Sequence, residues 1–197
     1  DAGGIAAAVV LAVATAVGLP RLLRRPLWFG AATVLLGIAV LMRPSVAGWP
    51  PADWLVVACD VGQGDAVLLE TRSARVLVDQ GPPEADVAGQ LAQMGIRSLS
   101  ALVLTHPQRD HVGGAADVIR RLRVGAVLDP ALAATGPDRE EAIAAARERG
   151  VPIRVVREGS VFRAGGLVLR VLWPPDAGMP HEDPNLNATV LAASFGE

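Results

Sequence analysis

A change of character near residue 50 constrains this 197-residue chain more than any other feature. Upstream, residues 4–19 and 27–42 each run sixteen positions without a charge, separated by Pro20-Arg-Leu-Leu-Arg-Arg-Pro26. A helix needs roughly 17–25 apolar residues to span a bilayer, so both stretches depend on their flanks to reach across. A cleaved signal peptide would begin with a basic region, whereas this chain begins with Asp1. The second stretch carries Leu, Val, Ile and Phe on every helical face, which suits lipid better than a protein core. The expected organisation is a transmembrane hairpin of two helices over residues 1–43, a proline-rich linker over 44–53 and a folded domain over 54–197. Arg21, Arg24 and Arg25 lie in the loop of the hairpin, against Arg43 alone at its far end. Positive loops stay cytoplasmic, so the expected protein is multi-pass in the cell membrane with its folded domain on the extracytoplasmic side.

Beyond residue 50 the chain becomes a series of short apolar runs punctuated by Gly, Pro and Asp. Residues 54–58 and 66–71 read as strands around a tight Gly62-Gln-Gly64 turn, and 75–78 as a third strand. Val87, Leu91 and Met94 give helical spacing over 84–94, with Gly95 as its stop. A strand at 101–104, a helix at about 114–122, a strand at 124–128 and a helix at 137–149 follow. Strands at 152–156, 167–172 and 189–193 complete the pattern. Strands first, then strands alternating with helices, indicate a layered α/β domain.

Charge narrows the partners. From residue 50 onward there are 14 arginines against 19 acidic residues, a net of −5. Such a surface does not hold nucleic acid by charge alone, because that affinity comes from basic groups displacing counterions. Arg120, Arg121 and Arg123 form the one basic run, and it reads more readily as a solvated helix face. The single cysteine, Cys59, excludes an intrachain disulfide and reads as a buried thiol.

The chemistry concentrates in Leu104-Thr-His-Pro-Gln-Arg-Asp-His-Val-Gly-Gly114. Two of the three histidines of the chain fall here with an aspartate between them. Imidazole nitrogen and carboxylate oxygen suit zinc, manganese or iron, and a loop at a strand end lets ligands converge. A polar turn with hydrogen-bonded histidines is the plainer alternative. The scarcity of histidine elsewhere favours a metal, with His106, Asp110 and His111 as ligands. Asp60-Val-Gly-Gln-Gly-Asp65 reads as a hairpin turn packed under the site, since no Gly-Lys-Ser/Thr follows to make a phosphate loop. Asp79 either orients a metal-binding histidine or caps a turn. His181 sits in a Pro- and acid-rich loop and reads as solvent-exposed.

In order, Asp60–Asp65, then Val78-Asp-Gln-Gly81, then Thr105–Gly114 resemble the metallo-β-lactamase superfamily, and within it the C-terminal domain of the ComEC family of DNA-uptake channel proteins. The resemblance covers nearly the whole chain. It implies an αββα sandwich with metals at one edge of the sheets, C-terminally truncated here and preceded by the transmembrane hairpin. The superfamily loop is usually written His-x-His-x-Asp-His, its first two histidines serving one metal and Asp-His the other. His106, Asp110 and His111 match it, while Gln108 stands at the second histidine, where a neutral amide is a weaker ligand. Asn185 and Asn187-Ala-Thr189 resemble the Asn-rich strand entry of the same family, or form a simple Asx turn. Later family segments that bring further ligands have no counterpart before Glu197, so the expected site is a fragment.

By resemblance the chain is a metal-dependent hydrolase domain of a DNA-uptake channel, a phosphodiesterase processing incoming DNA. Up to two manganese or zinc ions are implied, with Asp110 both a ligand and the catalytic carboxylate that orients the attacking water. Asp65, Asp79, Gln108 and Asn187 are the candidates for supporting ligands or touching substrate. The implied partners are DNA, the lipid bilayer and the rest of an uptake machinery. The alternative is a non-catalytic module that guides DNA or gates the channel. Hydrolysis of a lactam or small ester follows from fold analogy alone and is the weakest reading.

Overall fold

The computed structural model describes residues 30, 31, 33–36, 50–132, 136–175 and 183–196. The chain divides into two compact units, Asp1–Ala47 and Gly48–Glu197. In the first unit the described residues are helical. Most of the expected hairpin lies outside the described residues, and none of the described helices is long and apolar enough to cross a membrane.

The second unit is built on a six-stranded mixed sheet. Its strands are β1 (Val56–Ala58), β2 (Val67–Glu70), β3 (Arg75–Val78), β5 (Ala101–Val103), β7 (Val127–Asp129) and β8 (Ile153–Val155), in that spatial order. The first three pair antiparallel, and β3, β5, β7 and β8 run parallel. A smaller antiparallel sheet holds β9 (Val161–Ala164), β10 (Leu167–Trp173) and β11 (Val190–Phe195), with β10 in the middle. Two-residue strands β4 (Ser98–Leu99) and β6 (Arg123–Val124) pair beside them.

Alternation along the strands sorts the side chains into two cores. Leu68, Leu77, Leu102 and Val127 face one way, onto helices α1 (Val87–Gln93), α3 (Ala115–Arg121) and α4 (Pro137–Glu148). Leu69, Val76, Ala101, Val103 and Leu128 face the other way, onto Leu167, Leu169 and Val171 of β10. The central strand β5 is therefore buried on both faces, as a parallel strand between two layers must be. Helix α4 packs mainly on α3, and its buried residues are Ala142, Ala145 and Ala146, small side chains that let the backbones lie close. The layers are helix, mixed sheet and second sheet. Among the described residues no helix covers the outer face of the second sheet, where Arg170 and Leu172 are exposed, so three layers of an αββα sandwich are present.

Several sequence expectations shift locally. The helix expected at 84–94 begins as a 3-10 turn, Pro83–Ala85, and turns α-helical only at Val87. Asp86 separates the two, capping α1 by accepting from the Gly89 N–H at 3.0 Å. The sequence reading did not anticipate β9, and the metal-loop segment contains a one-turn helix, α2 (Arg109–Val112).

The parallel strands β3, β5 and β7 end on the same edge of the sheet, where Asp79, the Thr105–His111 segment and Asp129 emerge. Because β2 is antiparallel to β3, its entry at Asp65–Ala66 meets them there. The carboxyl edge of parallel strands is where open α/β sheets place ligands, and here it gathers the histidines.

Candidate metal centre

Asp79 ends β3 with φ 55°, in the left-handed region that Asp tolerates better than most residues. That turn tucks its carboxylate beneath β5, where it is 3% exposed. Oδ1 accepts from the Thr105 N–H at 3.0 Å, and Oδ2 accepts from the Thr105 hydroxyl at 2.7 Å. The same Oδ2 takes the Nδ1–H of His111 at 2.9 Å. Asp79 thus binds three donors from two residues, and its oxygens are occupied inside the protein.

His106 follows β5 and is itself buried, with Pro107 disfavouring helical backbone at that position. Its Nδ1 lies 2.9 Å from the Thr105 hydroxyl oxygen, and its Nε2 lies 3.0 Å from Gln108 Oε1. Helix α2 then opens with Gln108 as its N-cap, the Gln108 carbonyl accepting from the backbone N–H groups of His111 and Val112. One helical turn brings His111 back over His106, with ring centroids 4.2 Å apart. It places the Asp110 carboxylate 3.9 Å from His111 Nε2.

The 60–65 turn packs against this helix. Asp65 N–H donates to the Asp110 carbonyl at 3.3 Å, and the Asp65 carbonyl accepts from Gly81 N–H at 2.8 Å. The exposed Asp65 carboxylate reaches to 3.6 Å from His111 Nδ1. Gln90 of α1 clamps Asp60 from outside, bonding both its backbone N–H and its carbonyl. Gly64 has φ 104°, and a Cβ there would stand 1.8 Å from the Asp110 carbonyl oxygen. Gly64→Ala is therefore expected to cost roughly 2–3 kcal/mol, by backbone strain and by pushing α2 off the turn; urea denaturation measures it. Gly114 is constrained by space alone, a Cβ there falling 2.4 Å from the Gln80 carbonyl oxygen.

The Asp79 hydrogen bond holds the His111 imidazole above its usual pKa; burial opposes this, and the charges of Asp79, Asp110 and Asp65 add to it. An ion loaded at His111 must displace a proton below that range. Cys59 is affected by burial alone, which pushes its thiol from the usual 9.0 up to about 11. The folded value lies above the unfolded one, so the contribution of this thiol to stability is complete below about pH 9 and fades as pH climbs through about 11. At pH 8 iodoacetamide is expected to label Cys59 slowly in the native protein and far faster in denaturant.

Asp79, His106 and His111 each offer a ligand atom within 4.8 Å of the others. Asp79 already accepts three hydrogen bonds within this cluster, and the Asp110 carboxylate stands outside it, 3.9 Å from His111 Nε2. Two ligands on a tetrahedral zinc stand about 3.3 Å apart, so the 3.9 Å between Asp110 and His111 needs only a small adjustment. Nitrogen and carboxylate donors of this kind fit zinc or manganese. Gln108 lies against His106 rather than open to an ion.

Asn187 is buried in the 3-10 turn Pro184–Asn187, two residues before Thr189. Thr189 ties this turn to the site, since its backbone N–H donates to the Thr105 carbonyl at 3.0 Å. His181 lies outside the described residues. Arg120 and Arg121 pair with Glu141, Asp86 and Asp117 on the helical surface. Sequence reasoning passed over Thr105 as a functional residue, and over the buried pair of Asp129 with Arg139 at the end of β7. Asp129-Pro130 at a strand end was the available signal for the second.

Residues 59–181 match the sequence model of the Metallo-beta-lactamase superfamily. The ComE operon protein 3 of Bacillus subtilis (strain 168) is 31% identical over 135 residues, 58% of this chain and 17% of that protein. Competence protein ComA of Neisseria gonorrhoeae is 38% identical over 111 residues, 54% of this chain and 15% of that protein. The chain spans under a fifth of the length of these relatives. Among solved structures, a Cronobacter sakazakii metallo-β-lactamase aligns with TM-score 0.49 and 18% identity, covering 71% of this chain and 52% of that one. The subclass B3 enzyme MEM-A1 from a soil metagenome library aligns with TM-score 0.48 and 20% identity, over 72% and 55%. The chain belongs to the metallo-β-lactamase superfamily, in a ComEC-like form.

Proposed function

We propose that this chain carries the metal-dependent phosphodiesterase domain of a membrane DNA-uptake channel, acting on DNA as it enters. The observation that carries the reading is the cluster of Asp79, His106 and His111 at the carboxyl edge of the sheet, with the Asp110 carboxylate 3.9 Å from His111 Nε2. Similarity to two competence proteins supplies the context of uptake. The apolar stretches at 4–19 and 27–42 supply the membrane setting, and the arginines between them favour an extracytoplasmic domain.

His106 and His111 would hold the divalent ions, zinc or manganese, with Asp110. A bound divalent ion supplies a polarised phosphate and an attacking water that ionises near neutral pH. Asp110 would orient that water and take its proton. Asp79 keeps the His111 ring fixed while charge changes beside it, and the turn at Gly62–Asp65 holds α2 from beneath. The acidic surface leaves the metal centre as the main attraction for phosphate.

A second reading rests on Gln108. Its amide lies on the His106 nitrogen that a first ion would need, as in a module that guides DNA without cutting it. DNA cleavage by the full chain with manganese or zinc separates the two. Cutting that chelator abolishes is expected for the enzyme; binding of metal and DNA without cutting would establish the guiding module.

A further inference from the structure

The hydrogen bonds around Asp79 form a relay whose protons can be assigned one by one. Oδ2 of the carboxylate has no proton to give, so the 2.7 Å contact from Thr105 uses the single hydroxyl proton of that threonine. The Thr105 oxygen is then left as an acceptor. Its 2.9 Å contact with His106 Nδ1 requires the ring to donate. His106 is therefore protonated on Nδ1, and in the neutral ring Nε2 carries a lone pair. On the other side, His111 donates its own Nδ1–H directly to Asp79 at 2.9 Å. With this assignment both neutral imidazoles share one tautomer, Nε2 of His106 lying beside Gln108 and Nε2 of His111 beside Asp110. Gln108 Oε1 stands 3.0 Å from His106 Nε2, so this tautomer requires the amide turned over to present its NH2 group to that lone pair.

We propose that Thr105 is a positioning residue that relays the Asp79 carboxylate to His106, so that one buried acid fixes the tautomer of both histidines. The inference rests on the metal-site reading for its purpose and on hydrogen-bond geometry for its substance. A carboxylate orienting one ligand histidine is a common arrangement; here the hydroxyl extends its reach to a second. The relay also gives Gln108 a role. Its amide occupies the position of an ion on His106 and must rotate before that nitrogen can bind one.

The test uses the full chain with 15N-labelled histidine, whose three rings give few enough signals to assign, His181→Gln removing the third. Long-range 15N–1H correlation without metal is expected to show His106 and His111 both as Nδ1–H. A His106 ring protonated on Nε2 alone would overturn the relay, whether or not any variant folds. Thr105→Val removes the hydroxyl at nearly constant volume, and Thr105→Ser retains it. Zinc affinity by chelator competition is expected to fall at least about tenfold in Thr105→Val and to stay within about threefold of wild type in Thr105→Ser. The Val variant should lose the Nδ1–H signature of His106. A folded Thr105→Val protein with wild-type zinc affinity and an unchanged His106 tautomer would overturn the proposal. Failure of the wild-type chain to bind zinc would sink the metal-site reading instead, while the histidine spectrum still decides the relay.

Discussion

Asp110→Ala is expected to lower metal-dependent DNA cleavage by about 10²–10⁴-fold while leaving the domain folded. The two halves of this expectation come from different observations. The carboxylate stands 3.9 Å from His111 Nε2 and has no tighter partner among the described residues, so little native bonding is lost with it. The structural tie of Asp110 to the 60–65 turn runs through its backbone carbonyl, which alanine keeps. Stability should therefore change by no more than about 0.5 kcal/mol. Rate constants across a metal titration, with a thermal melt of each protein, check both halves. Loss of activity with an unchanged melt marks a functional carboxylate. A melt that falls with activity would place Asp110 in the framework instead.

Asp79→Ala should behave in the opposite way. Removing the carboxylate strands the Thr105 N–H, the Thr105 hydroxyl and His111 Nδ1 in a site that is almost fully buried. Unsatisfied buried groups cost about 1–3 kcal/mol each, so a loss of about 3 kcal/mol or more is expected in urea denaturation. Asp79→Asn is the informative companion. It keeps the volume but replaces one acceptor oxygen with an NH2 group, which faces either Thr105 or His111 with the wrong polarity. A smaller stability loss with a 10–100-fold drop in metal affinity, as a rough range, is expected for the amide. Equal metal affinity in Asp79→Asn and wild type would contradict the orienting role.

The parts of the fold legible in the sequence are those with strong local patterns. The period-two strands at 66–71 and 75–78 and the helix started by Pro137 and stopped by Gly150 appear close to where they were expected. Val161–Ala164 was missed because four residues before a Gly-Gly turn carry almost no periodicity, and only pairing with β10 makes them a strand. Helix α2 has a polar sequence with no apolar stripe, and it forms because its backbone is held by the Gln108 cap and the Asp65 contact. The histidine-rich loop announced itself through composition. Its support did not, since Asp79 and Thr105 stand 26 positions apart and meet only when β3 and β5 pair in parallel. The same holds for Thr189, which reaches Thr105 across 84 positions.

Calorimetric titration of the metal-free full chain with zinc tests most directly whether His106, Asp110 and His111 form a divalent-metal site. His111→Ala, which removes a ring bonded to Asp79 and facing Asp110, serves as the comparison. Saturable binding in wild type, weakened at least about tenfold in His111→Ala, is the result this account requires. Zinc uptake that is absent from the folded wild-type chain, or indifferent to His111, would contradict it.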